Sequence, residues 1–246
     1  MSEAIQINLN DGYAEISYKE SNGIKQNKIV DIDDIHSLFK ENIDYDSGDL
    51  GIWGSNCIGI KRLISRGDKH WVLVEAVSPI VTVSFDGKEY KNVPFPSVLM
   101  GVKLVKDGIR YRVDKDRTFA LCHENNLVLS SAQLYKFPFS NVFNEAMGKV
   151  CWGRIDLPKL DSFAQAIGVM QMFLQGDMNT DLLALSELEA TGEYSKVVYD
   201  IKLDTRQKLG KTFNLLIKAG NYPYTDLKMR EKTRYNDLIA YCKQNI

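Results

Sequence analysis

The chain has 246 residues, 44% of them hydrophobic and 26% charged, which is typical of a globular protein with enough apolar residues for one large domain or two small ones. No apolar run approaches the ~18 residues of a membrane helix, and no basic start precedes an apolar stretch near residue 1. We therefore expect neither a membrane span nor a secretory signal. The net charge is −1, with an acidic excess in residues 1–50 and a basic excess in residues 201–246, and no focused basic stripe indicates nucleic-acid binding.

The N-terminal part of the chain predicts three strands and a helix. Residues 4–10 and 13–19 are β-forming segments separated by Asp11-Gly12, a turn pair that predicts a hairpin. Residues 24–30 predict a third strand. Residues 31–40 begin with acidic side chains and place apolar ones at helical spacing, which predicts a short amphipathic helix.

A meander of antiparallel strands is predicted for the middle of the chain. Short β-forming segments alternate there with turns that contain glycine, a pattern typical of an antiparallel sheet. The predicted strands cover residues 57–64, 71–77, 80–85, 98–105, 109–113 and 118–122.

Helical spacing dominates after Cys151. Apolar residues recur at helical spacing from Leu160 to Leu174, with Pro158 suited to the first turn and Gly176 to the end. Further helices are predicted for residues 179–189, 205–218 and 226–243, and a strand is predicted for residues 197–203.

Strands followed by helices predict an α+β fold, because a doubly wound sheet would alternate the two. We expect an N-terminal strand and helix extension at residues 1–45. An α+β core is expected at residues 46–178, and a mainly helical segment at residues 179–246 is expected to pack on that core.

The four cysteines are scattered and contain no Cys-x-x-Cys pair; they are Cys57, Cys122, Cys151 and Cys242. This pattern predicts free thiols in a reducing compartment, the cytoplasm, and neither a disulfide framework nor a metal site. Cys242 shares the apolar face of the last predicted helix, so we expect it to be a core thiol.

The segment from Leu134 to Gly153 carries the candidate chemistry. An apolar run leads through Asn141 to Gly148-Lys149-Val150-Cys151-Trp152-Gly153. Gly148 permits a turn, Lys149 places positive charge near the thiol, and Gly153 lets another molecule approach the backbone. A thiol at the edge of such a turn is accessible to a large partner. We therefore predict that Cys151 is a nucleophile.

Asn141 is the predicted helper of that thiol. Its side chain would support an oxyanion or pin the loop, and the two roles are compatible. The alternative for Cys151 is a buried small hydrophobe, and the alternative for Asn141 is a turn residue that satisfies local backbone amides. Trp152 is expected to pack beneath the loop.

These residues resemble the active-site stretch of ubiquitin-conjugating enzymes, in which a His-Pro-Asn triplet precedes a Gly-x-(Val/Ile)-Cys motif. Asn141 matches the asparagine, and Gly148-Lys149-Val150-Cys151 matches the glycine-to-cysteine end. Phe139 and Ser140 stand where the histidine and proline would be, and the spacing from Asn141 to Cys151 is slightly longer than usual.

Over most of its length the chain resembles the prokaryotic ubiquitin-conjugating-enzyme-like family D, the type of the PRTRC system protein B. The likeness covers the meander near residues 98–113, the segment 134–142 and the Val150-Cys151-x-Gly153 end. It implies a ubiquitin-conjugating-like fold and a carrier enzyme that forms a thioester on Cys151, uses no cofactor and passes its modifier to an amine.

The same resemblance implies the partners. They are a ThiF-like activating enzyme, a ubiquitin-like β-grasp protein and a JAB-type peptidase, encoded together on bacterial mobile elements. An inert adaptor of the same fold, which binds these partners and transfers nothing, is the alternative that the missing His-Pro favours.

Cys122-His123-Glu124 is the other cluster that suggests chemistry. Adjacent residues of an extended chain point to opposite sides, so they seldom bind one metal, and we expect a structural role. A further hypothesis is that His123 folds back towards Cys151 and supplies the imidazole that Phe139 lacks. With a third group to orient the histidine, that pair would form a cysteine hydrolase.

Overall fold

The computed structural model describes most of the chain from residue 45 onwards and three strands before it. The described residues are 6–10, 13–19, 25–31, 45–50, 52–53, 57–124, 131–143, 147–180, 182 and 185–246. They belong to two compact units, of which the first holds the described residues up to 31 together with residues 66–68. The second unit holds the rest. No helix among the described residues is long and apolar enough to cross a membrane.

The first unit contains a three-stranded antiparallel sheet in the order β1-β2-β3. Its strands are β1 (Gln6–Asn10), β2 (Tyr13–Lys19) and β3 (Lys25–Asp31). Asn10 pairs with Tyr13, so only two residues connect β1 and β2, and the predicted hairpin is confirmed. The helix predicted for residues 31–40 falls outside the described residues, except for residue 31, which ends β3.

The second unit is built on a curled antiparallel sheet of nine strands. The strands of this unit are β4 (Tyr45–Asp46), β5 (Ile52–Trp53), β6 (Ile58–Arg66), β7 (Lys69–Ala76), β8 (Ile80–Phe85), β9 (Lys88–Pro94), β10 (Ser97–Asp107), β11 (Arg110–Val113), β12 (Phe119–His123), β13 (Gln133–Lys136), β14 (Glu189–Ala190), β15 (Leu227–Lys228) and β16 (Glu231–Arg234). The large sheet has the order β16-β13-β12-β10-β7-β6-β4, with β11 on β10 and β5 on β6. Strands β8 and β9 form a separate hairpin, and β14 pairs with β15.

Four α-helices lie in the described residues, all of them after the meander. They are α1 (Ala166–Leu174), α2 (Gly192–Val198), α3 (Thr205–Ala219) and α4 (Tyr235–Gln244). The start of α3 follows from its sequence, since the Asp204 carboxylate accepts a hydrogen bond of 2.8 Å from the Gln207 backbone N–H. Its end follows from Gly220, which has a left-handed φ of 72°. The mixed α+β class and the helix predicted for residues 205–218 are confirmed.

Both faces of the central sheet are buried. On β12, Ala120 and Cys122 point into a larger core that also contains α1, α2 and α3. Phe119 and Leu121 point into a smaller core that contains α4. Because successive side chains of a strand alternate between faces, β7 and β10 read as nearly continuous apolar runs.

Two predicted helices are wrong in extent. The helix expected from residue 160 begins only at Ala166, because Leu160 exchanges two backbone hydrogen bonds of 2.8 Å with Tyr111. The helix expected for residues 226–243 begins only at Tyr235, because β15 and β16 occupy its first part.

Two other predicted elements are wrong in type. The strand expected at residues 197–203 is a helix and a turn instead, since Tyr194 and Val198 lie four residues apart and bury one face of α2. Within the described part of residues 179–189, the only helix is the short 3-10 turn Leu185–Glu187. Strand β9 was not predicted, because its charged residues obscure the β pattern.

Candidate active site

Two buried aromatic residues anchor the loop that leads to the thiol. Phe137 and Phe139 follow β13 and are almost completely buried. Phe139 packs against Phe95 and Phe213 at ring distances of 4.7 and 5.5 Å. Phe139, which stands where ubiquitin-conjugating enzymes have a histidine, is therefore part of the core here, and its ring fixes the start of the loop.

Asn141 and Cys151 face each other across a short antiparallel pairing. The backbone N–H of Cys151 donates to the carbonyl of Asn141 at 2.8 Å, and Val142 pairs with Val150. Asn141 adopts a left-handed φ of 70°, a conformation that asparagine tolerates better than most residues. The structure thus brings together the two residues that the motif predicted.

Gly148 is required by its surroundings. Its φ is +69°, and a Cβ atom there would lie 2.7 Å from the backbone oxygen of Ala120. Its carbonyl also accepts a hydrogen bond of 2.9 Å from the Ala120 N–H. Gly153 also has a positive φ, of 52°, but a Cβ there would meet no atom within 4 Å. The paired residues Asn141–Val142 and Val150–Cys151 are called the thiol hairpin, or the hairpin for short. Gly148 therefore locks this hairpin to β12, whereas Gly153 only shapes a turn.

Cys151 is a half-buried thiol that lines a cleft of about 150 Å³. Its surroundings combine amide, carboxylate, thioether and aromatic groups, from Asn141, Trp152, Met172, Phe173, Asp177 and Asn179. Cys122 and Cys242 differ from it, because they are completely buried and burial raises the pKa of both thiols well above the usual range. Cys242 is the core thiol that the sequence predicted.

The side chain of Asn141 pins the loop to the segment after α1. Its Nδ2 donates to the carbonyl of Asp177 at 2.9 Å. The adjacent Ser140 is buried, and its hydroxyl oxygen accepts a hydrogen bond of 3.1 Å from the backbone N–H of Asn179. An asparagine amide has two hydrogens, and the second has no partner among the described residues.

Lys149 pairs with a carboxylate on the surface. Its ammonium forms an ion pair of 2.8 Å with Asp116 and lies 5.9 Å from the ring centre of Phe143. The hydrogen bond from Lys149 lowers the pKa of the Asp116 carboxyl. Its charge is therefore largely engaged on the surface beside the hairpin.

Trp152 packs beneath the loop, as the sequence predicted. It is buried, and its indole Nε1 donates to the Thr118 hydroxyl at 2.6 Å. Its ring meets the edge of Phe173 on α1 at 6.4 Å. This contact joins the residue after the thiol to helix α1, which also lines the cleft.

The structure does not bring His123 to Cys151. The imidazole is buried, and its Nε2 lies 3.3 Å from the Glu75 carboxylate. His123 is four residues further along β12 than Phe119, which pairs with Lys149, a separation of about 13 Å along the strand. By strand alternation it shares the face of Phe119 and Leu121, which belong to the smaller core. The cleft that Cys151 lines is formed instead with Phe173, which belongs to the larger core on the other face.

The far wall of the cleft has no signature in the sequence. Asp177 and Asn179 reach it because the backbone N–H of Met178, between them, donates to the Ser84 carbonyl of β8 at 2.9 Å. A contact between segments so distant along the chain leaves no local signal. Ser140 could have been found, since it lies within the motif beside Asn141.

The site contains no cluster of metal-ligand type within the described residues, where no three His, Cys, Asp or Glu side chains are grouped to hold an ion. Comparisons with protein-family models, with curated proteins and with solved structures found no match.

Proposed function

We propose that this chain is a carrier enzyme of the ubiquitin-conjugating type, with Cys151 as the acceptor thiol. The observation that carries the proposal is the position of this thiol, half-buried in a cleft and hydrogen-bonded through its backbone to Asn141. A thiol in this position is accessible to a flexible protein tail, whereas Cys122 and Cys242 are enclosed by the core.

The reaction needs two acyl transfers. In the first, the Cys151 thiolate attacks the thioester that joins the modifier's C-terminus to the activating enzyme. A new C–S bond forms on Cys151, and the activating enzyme's sulfur departs as a thiolate. In the second, an amine attacks the new thioester, an amide forms, Cys151 departs as a thiolate and the amine loses a proton.

The order of elements also supports the proposal. The strands β6, β7, β10, β12 and β13 lie side by side in the sheet, the thiol-bearing loop follows β13, and α1 follows the loop. A strand meander, an active-site loop and then a helix is the order that a ubiquitin-conjugating-like fold requires. On this proposal residues 1–45, which contain β1, β2 and β3, are an N-terminal extension of that fold.

Asn141 would act mainly as a positioning residue. One of its amide hydrogens holds the loop to Asp177. The other would donate to the oxyanion that forms on the modifier's carbonyl carbon during each transfer. Gly148, Lys149 and Gly153 would shape the loop around the thiol, and His123 would take no part.

Two observations favour the inert adaptor as a second candidate. The cleft contains no imidazole among its described residues, and the Asn141 amide already holds a backbone carbonyl. A chain of this fold with that site would bind the activating enzyme and the modifier without transferring anything.

A reconstituted reaction separates the candidates. The chain is mixed with a ThiF-like activating enzyme, the β-grasp modifier and ATP, and the products are run on a non-reducing gel. We expect an adduct that a reductant removes, that Cys151→Ala abolishes, and that Cys57→Ser leaves intact. Cys57 is the matched control, because its thiol is also exposed to solvent.

The other outcomes decide against the carrier. Co-sedimentation of the three proteins without an adduct supports the adaptor. An adduct that persists in Cys151→Ala contradicts the assignment of the thiol. Release of free modifier from a modifier fusion without ATP supports a cysteine hydrolase, and a JAB-type peptidase added to the same mixture serves as the positive control for that release.

A further inference from the structure

A second and larger cleft lies beside the end of α1. Its volume is about 690 Å³, within the range of roughly 300–1,000 Å³ that is usual for binding sites. Hydroxyl, amide and aliphatic groups dominate its lining, with contributions from Cys57, Ser78, Ile80, Thr82, Glu89 and Gln171. Ile80 is 64% exposed there. The cleft therefore suits a ligand with both polar and apolar groups and no negative charge.

One wall of this cleft is the outer edge of β8. The Pro79 carbonyl accepts a hydrogen bond from Phe95 on the β9 side, whereas the Ser84 carbonyl accepts one from Met178 on the other side. Backbone groups alternate between the two edges of a strand, so those of Ile80 and Thr82 point to the outer edge with Ser84. Among the described residues, no hydrogen bond from beyond the hairpin reaches the backbone of Ile80 or Thr82.

The sequence of β8 leaves this edge unprotected. Natural proteins usually protect an open strand edge with charged residues or proline, because the free N–H and C=O groups would otherwise pair with another chain. Strand β8 (Ile80–Phe85) contains neither, while its partner β9 (Lys88–Pro94) contains three charged residues. An uncharged open edge is the feature that extended peptides use when they add a strand to a sheet.

The same edge leads to the thiol. Met178 already occupies its far end, where it pairs with Phe85 in parallel orientation. Asp177 and Asn179, on either side of Met178, line the Cys151 cleft. The edge from Ile80 to Ser84 is about 13 Å long, so a chain that follows it arrives at the segment that forms the wall of the thiol site.

We propose that the outer edge of β8 binds the C-terminal tail of the modifier as an added strand and directs its terminus towards Cys151. This inference rests on the proposed function, since it names the substrate segment that the carrier would hold. Main-chain hydrogen bonds to Ile80 and Thr82 would supply affinity, and the lining of the 690 Å³ cleft, in which Glu89 is the one charged residue among those described, would disfavour acidic side chains.

The test measures tail binding without transfer. The probe is a fluorescein-labelled peptide of the ten C-terminal residues of the β-grasp modifier, titrated into the full chain carrying Cys151→Ala and followed by anisotropy. Adding Thr82→Pro removes one edge N–H, and proline is tolerated at an outer strand edge. We expect Kd to rise about tenfold for Thr82→Pro, the loss of one good hydrogen bond. The matched Thr82→Val should bind within about twofold of the parent, because it keeps the N–H.

Two further measurements guard against misfolding and misplacement. Ile80→Lys puts a charge on an already exposed edge position and should weaken binding as Thr82→Pro does, with an unchanged melting curve. Bound peptide should also slow alkylation of Cys57 by N-ethylmaleimide, because that thiol lines the cleft.

The outcomes separate this inference from the carrier function. No binding, equal binding to Thr82→Pro and Thr82→Val, or binding that leaves Cys57 alkylation unchanged would overturn the docking site, even if the Cys151 adduct forms normally. Tail binding at β8 with no adduct on Cys151 would support the docking site and contradict the carrier. A dimer of the chain that Thr82→Pro dissociates would show that a second copy occupies the edge, which also overturns the inference.

Discussion

Cys122 and Cys151 belong to segments that are hydrogen-bonded to each other, yet their thiols have opposite surroundings. Cys122 lies within β12, beside His123, and is completely buried. Cys151 follows a hairpin that pairs with the start of β12 through Thr118 and Ala120, and it lines an open cleft. Strand β12, which carries His123, therefore buries the thiol of Cys122, whereas the Cys151 segment, which has no histidine, exposes its thiol.

The difference lies in how each segment meets the sheet. Successive residues of β12 enter the two cores in turn, so Cys122 and His123 point to opposite faces. The Cys151 segment ends its pairing at residue 151 and turns at Gly153, which leaves the thiol at the rim. The accessibility of each thiol thus depends on how close its cysteine lies to the end of a paired segment, and it does not depend on whether a histidine is next to it.

Alkylation of the native chain should give the largest effect. Cys57 and Cys151 should react with N-ethylmaleimide at rates typical of accessible thiols. Cys122 and Cys242 should react at least about a thousandfold more slowly, because their exposure requires unfolding that costs about 5 kcal/mol or more. Peptide mass spectrometry after timed quenching gives the four rates. Comparable alkylation rates for Cys122 and Cys151 would show that the two thiols do not differ in accessibility.

Glycine substitutions should separate the hairpin's anchor from its turn. Gly148→Ala should lower the free energy of unfolding by about 3 kcal/mol, because it adds a clash with the Ala120 carbonyl to the strain of a positive φ. Gly153→Ala adds only the strain and should cost about 1 kcal/mol. Urea unfolding measures both. Equal losses would show that the hairpin is not locked to β12 as described.

Asn141 variants should distinguish backbone shape from side-chain contact. Asn141→Gly keeps the positive φ and loses the bond to Asp177, so it should lower the unfolding free energy by about 1 kcal/mol and slow adduct formation about tenfold. Asn141→Ala should lose about 1 kcal/mol more, from the strained backbone. If Asn141→Gly forms the adduct at the wild-type rate, the side chain of Asn141 has no role in the transfer.

The smallest expected effect is a pH dependence at the base of the thiol loop. Lys136, the last residue of β13, donates to both oxygens of Glu187 at 2.7 Å, and this contact lowers the pKa of Glu187. Because the pKa of Glu187 is lower in the folded chain than in the unfolded one, the ion pair stabilises the fold fully at pH values above the ordinary carboxyl pKa of 4.5. This stabilisation is lost as the pH falls through the pKa of Glu187 in the folded chain.

Glu187→Gln checks the sign of this effect. The stability advantage of the wild type over the variant should be present at pH 7 and shrink below about pH 4.5, measured by urea unfolding across that range. An advantage that grows on acidification would have the wrong sign for this ion pair. Arg230 also contacts Glu187 and likewise lowers its pKa, so it acts in the same direction as Lys136.

Local patterns predicted the parts of the fold that local physics controls. The β1–β2 hairpin follows from its two-residue turn, and α3 follows from the Asp204 cap and the Gly220 stop. The strand predicted for residues 197–203 overlaps the end of α2 because Val197 and Val198 favour strands, whereas burial of Tyr194 and Val198 on one face makes this end helical. Residues 231–234 were misread as helix because pairing with β13 overrides their propensity.

In the candidate site too, features set by neighbouring residues can be predicted from the sequence, whereas features set by long-range contacts cannot. The pairing of Asn141 with Cys151 and the glycine between them could be predicted, because the residues are close in sequence and their spacing requires a turn. Asp177 and Asn179 could not be predicted, because Met178 is held by a hydrogen bond to Ser84 on β8, more than ninety positions away in the chain. Likewise, no local pattern shows that β12 turns His123 away from the thiol.

Peptide mass spectrometry of a trapped intermediate tests the central claim most directly. The Cys151→Ser variant is incubated with the activating enzyme, the modifier and ATP, and the product is digested with trypsin, which cuts after Lys149 and Arg154. We expect the modifier's C-terminal residues to be attached, as an oxygen ester, to the hydroxyl introduced at position 151, in the peptide spanning residues 150–154. Attachment to Cys57 instead, with an unmodified 150–154 peptide, would contradict the central claim.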